Sequence, residues 1–176
     1  LNEGIIWPGP PEKPRIKYLW SLQVISGGES QGKLLKIIAG EQEPLDEEHT
    51  LLRPHGVFAK GNKIYITDPG AFRVVVIDMI TMESMKIERA GRVPLNSPIG
   101  IVADKEGNIY VSDSDLRKVA VFNAKGKFIR FFEGNFIRPT GLAVNQDRKL
   151  IYVADTWAHM VHIYGTDGKR LRSIGK

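Results

Sequence analysis

An all-β chain built from repeated four-stranded antiparallel units is predicted by three observations on these 176 residues. Three stretches carry the same runs in the same order: RPHGVFA, IYITD and RVVVID; SPIGIVAD, IYVSD and KVAVFN; RPTGLAVN, IYVAD and MVHIYG. Their prolines, Pro54, Pro98 and Pro139, are 44 and 41 residues apart, and their aspartates, Asp68, Asp113 and Asp155, are 45 and 42 apart. Each period holds four short β-branched or aromatic runs divided by turn residues. A period in the low forties filled by four strands is the spacing of a β-propeller blade.

Taken in order, residues 1–14 contain Trp7-Pro8-Gly9-Pro10-Pro11 and Pro14 and read as an extended arm of polyproline character. Residues 15–40 hold two strand-like runs, Ile16 to Ile25 and Lys33 to Ala39, predicted as the two outer strands of an incomplete blade. An acidic loop fills 41–50, and three full blades occupy 51–91, 92–134 and 135–176. In the middle blade, the small apolar run Gly100-Ile101-Val102-Ala103 suits an innermost strand crowded against the axis. Gly107-Asn108 turns the chain into Ile109-Tyr110-Val111-Ser112-Asp113, a core strand. Lys118 to Asn123 and Lys127 to Phe132 complete the unit, and the first and third copies repeat the plan with variation in the turns.

These motifs resemble NHL repeats, the units of a propeller usually closed with six blades. In the middle copy Pro98, Gly100, Tyr110, Asp113, Lys118, Val119, Val121, Phe122, Gly126 and Lys127 fill the pattern. The resemblance implies that Asp68, Asp113 and Asp155 are structural, tying a strand end to backbone amides, and that Tyr65, Tyr110 and Tyr152 pack between blades. Three carboxylates placed once per blade lie too far apart for paired acid/base chemistry. About three and a half blades form an arc and cannot close a ring, so the sequence predicts a piece of a longer protein that self-associates across its open blade faces.

With 42% hydrophobic residues the chain can build a substantial core, and no run approaches the roughly 18 apolar residues of a membrane-spanning helix. It has no cysteine, which excludes disulfides and thiolate chemistry. Together with the Pro-rich neck this leans toward a periplasmic or secreted placement. Charge is uneven. Residues 1–116 carry thirteen Lys/Arg and sixteen Asp/Glu, whereas residues 117–176 carry twelve and four, a net of +8. Solvated blade edges explain that excess simply; a basic face for an anionic partner is the sharper alternative.

Some propellers that resemble this one are enzymes, including a lyase that holds its metal with histidines from inner-strand positions. The matching residues here are His55, Ile99 and Thr140, one ligand type in three, where a zinc site needs about three. Calcium-dependent propeller lactonases use acidic and Asn ligands, and no inner strand here starts with one. His162 is expected at a strand edge and His159 in a packed loop, and no Ser-His-Asp grouping or phosphate loop is evident. The expectation is therefore a non-catalytic scaffold, without cofactor or metal, that binds protein or peptide through one end of the blades. Its candidate binding residues are Arg53, His55, Phe72, Arg117, Arg138, Thr140, Trp157 and His159. The alternatives are a metal-dependent lyase or lactonase completed by blades outside this chain, and RNA binding through the basic part.

Overall fold

The computed structural model describes residues 6–7, 13, 16–17 and 50–175. Two short strands, β1 (Ile6–Trp7) and β2 (Ile16–Lys17), pair antiparallel, with Trp7 opposite Ile16. Sequence alone assigns these residues to separate units, an arm and an incomplete blade. The remainder of that half-blade, including Lys33 to Ala39, and the acidic loop up to residue 49 lie outside the described residues.

Three four-stranded antiparallel sheets follow, each hydrogen-bonded in chain order. Blade 1 is β3 (Val57–Lys60), β4 (Lys63–Asp68), β5 (Arg73–Asp78) and β6 (Ser84–Ile87). A hairpin of β7 (Arg89–Ala90) and β8 (Val93–Pro94) stands between the first two blades, turning on Gly91 at φ +65°. Blade 2 is β9 (Pro98–Ala103), β10 (Ile109–Asp113), β11 (Lys118–Phe122) and β12 (Phe128–Phe131). Blade 3 is β13 (Pro139–Asn145), β14 (Leu150–Asp155), β15 (Met160–Gly165) and β16 (Arg170–Gly175). The described sheets form an arc and not a closed ring. The hairpin is the element that sequence treats as a mere boundary near residue 91; its two-residue strands are too short for a periodicity signal.

Period-two alternation sends one set of side chains from each blade toward the next. Tyr65, Val74, Val76 and Ile87 of blade 1 are buried against Ile101, Val111, Ala120 and Phe122 of blade 2. The opposite face of blade 2, with Val102, Tyr110, Val119, Val121 and Phe132, meets Ile151, Val153 and Tyr164 of blade 3. Phe132 stacks on Tyr164 at 4.6 Å and meets Tyr110 edge-on at 5.8 Å. Each such side chain contributes roughly 1.5–3 kcal/mol of apolar burial. Tyr110 also donates to Asp104 Oδ2 at 2.7 Å, and the same carboxylate accepts the Asn108 amide at 2.8 Å, closing the turn after β9.

A polar seam runs between the apolar layers. In blade 1 the Thr67 hydroxyl accepts the Gly56 N–H at 2.7 Å and donates to the Ile99 carbonyl of blade 2 at 2.8 Å. Blade 2 repeats this with Ser112, which accepts the Gly100 N–H at 2.9 Å and donates to the Thr140 carbonyl of blade 3. Both hydroxyls are fully buried. The glycines are needed here, because a Cβ on Gly56 or Gly100 would sit 2.3 Å from the Ile99 carbonyl oxygen or 2.1 Å from that of Thr140.

Replacing Ser112 by Ala leaves a buried donor and a buried acceptor without partners, so the chain should lose about 2–3 kcal/mol in urea unfolding. Ser112→Thr, which copies blade 1, should cost far less. Burial, and next the hydrogen bond to Asp104, raise the Tyr110 phenol above its usual range. Above about pH 10 the unfolded chain therefore releases a proton that the folded chain keeps, and stability should fall as pH rises. Unfolding midpoints measured from pH 9 to 11 should show that fall, shallower in Tyr110→Phe.

Candidate functional site

At one end of the blades each core strand finishes in an aspartate and turns sharply into the next strand. The Asp68 carboxylate accepts the N–H groups of Leu52 at 3.0 Å and Arg53 at 2.7 Å. Asp113 accepts those of Asn96 at 2.8 Å, Ser97 at 3.0 Å and Leu116 at 3.0 Å. Asp155 accepts those of Ile137 at 2.8 Å and Arg138 at 2.7 Å. All three carboxylates are buried, and each holds the entry to its own inner strand against the exit of its core strand. They serve backbone amides one blade at a time and are not gathered at a common point.

Four residues beyond each aspartate stand Phe72, Arg117 and His159, all non-glycine residues in the left-handed region, at φ 52°, 55° and 54°. For such residues this conformation costs about 1–2 kcal/mol. In blades 1 and 3 the intervening residues form a single 3-10 turn, Pro69–Ala71 and Thr156–Ala158, which the left-handed residue closes. The turn in blade 3 exposes Trp157 at 61%, and the Arg138 guanidinium lies over its ring, 5.1 Å from the centroid. Asp155 thus sets both halves of the stack, since it grips the Arg138 amide and ends the strand that leads to Trp157. In blade 1 Phe72 is 54% exposed and lines an open cleft of about 440 Å³ with Ala71, Glu88, Arg89, Pro94, Leu95 and Asn96.

The residues singled out from sequence therefore separate into groups. Arg138, Trp157 and His159 share the blade 3 rim, Phe72 stands in the cleft, and Arg117 is exposed on the blade 2 turn. The Arg53 amide is clamped by Asp68. His55 and Thr140 instead lie at the inner strands, where the Thr140 carbonyl is engaged by Ser112 and its hydroxyl donates to the Ala154 carbonyl at 3.3 Å. Tyr65 and Tyr110 are buried between blades, while Tyr152 is only half-buried on the uncovered face of blade 3. Five cleft residues, Glu88, Arg89, Pro94, Leu95 and Asn96, escaped the sequence expectation. Their only signal is the Gly91-Arg92 turn flanked by apolar residues, easily taken for a linker.

Both histidines of blade 3 differ from expectation, and His159, expected in a packed loop, is exposed at the end of its turn. His162 is not an edge residue: it is 4% exposed, edge-on to Phe136 at 5.7 Å, with Nδ1 at 2.7 Å from Ser173 Oγ. Its Nε2 lies 3.6 Å from Asp155 Oδ2, so a Ser-His-Asp row exists after all. It went unseen because the cross-strand register of β15 and β16, not chain proximity, brings His162 opposite Ser173. In blade 1 the equivalent carboxylate, Asp68, has Arg73 Nε at 3.6 Å. The Asp155 oxygens already accept two backbone amides, and 3.6 Å is too long for the hydrogen bond that orients a catalytic imidazole. The row packs a buried imidazole beside the clamp. Among the described residues, no three His, Cys, Asp or Glu side chains converge as a metal site.

The architecture is that of a β-propeller, met here as an arc of three described blades. A family model for the NHL repeat matches residues 136–164, most of blade 3, and the two preceding blades carry the same ordered motifs. Blade 3 thus matches an NHL repeat, and the fold of the described residues is of the β-propeller class. It is 31% identical to human NHL repeat-containing protein 2 over 43% of this chain and 12% of that protein. Among solved structures it is similar to hydrazine synthase from Kuenenia stuttgartiensis (TM-score 0.62, 17% identity, 85% of this chain and 40% of that one). It is also similar to a catalytically inactive virginiamycin B lyase from Staphylococcus aureus with quinupristin (0.60, 13%, 70% and 41%) and to the WD40 repeats of RRP9 (0.63, 10%, 71% and 39%). The chain thus spans well under half the length of each of these proteins.

The clamp has a direct test. Asp113→Ala strips three backbone N–H groups of their acceptor, and the variant should unfold about 3 kcal/mol more readily in urea. Asp113→Asn keeps one acceptor oxygen and should recover part of that loss.

Proposed function

We propose that this chain is a non-catalytic binding module that takes a protein or peptide on the rim of its blades, seated in the cleft beside Phe72. The observation that carries the proposal is the exposure of four large apolar side chains at the aspartate end: Leu52, Phe72, Ile137 and Trp157, from 48% to 61% exposed. Scattered apolar residues on a surface need no explanation, but four at the same blade end, each beside a clamped backbone, form a pattern. The left-handed backbone recurs at this end in all three blades, two of which carry these side chains. Strain kept at equivalent positions supports a role for what those turns present.

Chemistry at the rim fits a polypeptide. Phe72 gives a rigid aromatic anchor, Pro94 and Leu95 an apolar wall, and Glu88 with Arg89 offers both charges to a peptide backbone or its polar side chains. Arg138 stacked on Trp157 is a second anchor of a kind common at hot spots. Fold does not choose among functions here, since the similar structures include a lyase as well as WD40 repeats. Binding is favoured over metal-dependent catalysis because the described inner strands converge no ligand set, and over RNA because the rim is apolar as much as basic.

Panning a random dodecapeptide library against the protein, then titrating the enriched peptide by calorimetry, should give a consensus with an apolar anchor. Phe72→Ala should weaken that peptide at least tenfold, while Ile129→Ala, on an outer strand, should leave it unchanged. Absence of a consensus, or an unaltered affinity in Phe72→Ala, overturns the proposal. So does stoichiometric zinc or calcium in the purified protein, or tight single-stranded RNA binding that collapses with salt.

A further inference from the structure

Charge around the cleft of blades 1 and 2 is set unevenly between acids and arginines. The clamp carboxylates Asp68 and Asp113 are buried and spent on backbone amides. Arginines stand exposed beside them. Arg53 follows Leu52 into blade 1, Arg117 ends the turn after Asp113, and neither makes an ion pair among the described residues. At the opposite end of the blades, by contrast, Lys105 pairs with Asp147 at 2.8 Å and Lys149 with Glu106 at 3.8 Å. The exposed acids nearest the two arginines in the chain are Glu88, inside the cleft, and Asp115, whose carboxylate accepts the Asn96 side-chain amide at 3.3 Å.

Both arginines stand on pinned backbone. Asp68 accepts the Arg53 amide at 2.7 Å, and Arg53 Cβ lies so close over Gly70 that a Cβ there would approach it to 2.8 Å. Blade 3 has Trp157 at that position and stacks Arg138 on it, whereas glycine leaves the Arg53 guanidinium no ring to cover. Gly70 precedes Ala71, which lines the cleft, so Arg53 borders it on the blade 1 side. On the blade 2 side Asp113 accepts the amides of Asn96, a cleft wall, and of Leu116, the neighbour of Arg117. Arg117 itself keeps a backbone φ of 55°, a conformation that glycine adopts at no steric cost. The cleft beside Phe72 thus has an unpaired cation on each flank.

Taking that cleft as the seat of a peptide, we infer that the peptide is acidic: carboxylate side chains on either side of its apolar anchor pair with Arg53 and Arg117. A guanidinium suits the role, since its planar fork meets a carboxylate with two N–H groups at once. Glu88 decides between a peptide and a nucleic acid as the anionic partner. A phosphate chain laid along the cleft sets a negative charge against Glu88 in every register, whereas a peptide can place an uncharged side chain there and keep its carboxylates for the flanks.

Three dodecapeptide pools test this on the full chain, each with a central Phe or Leu and with Glu, Gln or Lys as the only charged or amide residue on both sides of it. In fluorescence-polarisation titrations the Glu pool should bind about tenfold more tightly than the Gln pool, and the Lys pool more weakly than either. Arg53→Gln and Arg117→Gln should each weaken the Glu pool about fivefold, flatten its salt dependence and leave the Gln pool unchanged. Arg117→Gly should weaken the Glu pool as much while keeping its melting temperature, because glycine takes the left-handed conformation freely. A Glu pool no tighter than the Gln pool overturns the inference, as does a Glu pool indifferent to both arginine variants or displaced by oligouridylate at lower concentration than by its own peptides. In any of these cases a Gln pool weakened by Phe72→Ala leaves the cleft as the peptide seat and removes only the charge preference; if Phe72→Ala alters no pool, the seat falls with it.

Discussion

A buried carboxylate accepting backbone N–H groups from a segment 15 to 18 residues upstream is the constraint on which each blade depends. The inner strand must start beside the point where the core strand stops, and both chain segments there carry amides that no β-ladder can satisfy. An ionised oxygen pair meets two or three of them at once, and such charge-assisted bonds are roughly twice as strong as neutral ones. The rim geometry follows. With the strand entry pinned, the turn after the aspartate must reverse in four residues, which forces the left-handed conformation at Phe72, Arg117 and His159 and turns their neighbours outward.

Between blades the binding is of a different kind. Apolar side chains supply most of the free energy, but they are not directional and permit sliding by a residue or more. The glycine and hydroxyl pair supplies registry: Gly56 and Gly100 let the neighbouring carbonyl approach, and Thr67 and Ser112 meet it with a hydrogen bond, to which Ser114 adds one on the Pro139 carbonyl at 2.7 Å. A side chain on the glycine or a missing hydroxyl would each disturb one joint and leave its blade intact. Separable joints of this sort suit a solenoid-like arrangement in which each unit contacts only its neighbours.

The two candidate anchors owe their placement to unlike causes. Arg138 and Trp157 are brought together within one blade by Asp155, so the motif spacing already places them at one rim. Phe72 faces instead a hairpin that belongs to neither blade, and its cleft exists because β7 and β8 fold back between blades 1 and 2. The Ser173–His162–Asp155 row has the same character, assembled across strands by register. Sequence motifs record contacts that recur in every copy; these features occur once, and a single occurrence leaves no period to read.

From its sequence alone this chain determined its blades: three copies, four strands in each, the strand limits to within a few residues, and the repeated aspartates at one end. Such features are local or periodic, set by side-chain alternation and turn residues acting over fewer than about ten positions. Only the tertiary structure decided which faces are covered, that the Tyr152 position is half-open while Tyr65 and Tyr110 are sealed, that His162 is a buried partner of Asp155, and that the cleft lies beside Phe72. Those outcomes depend on which blade stands next to which and on the register between strands distant in the chain, and neither quantity is written in any one segment.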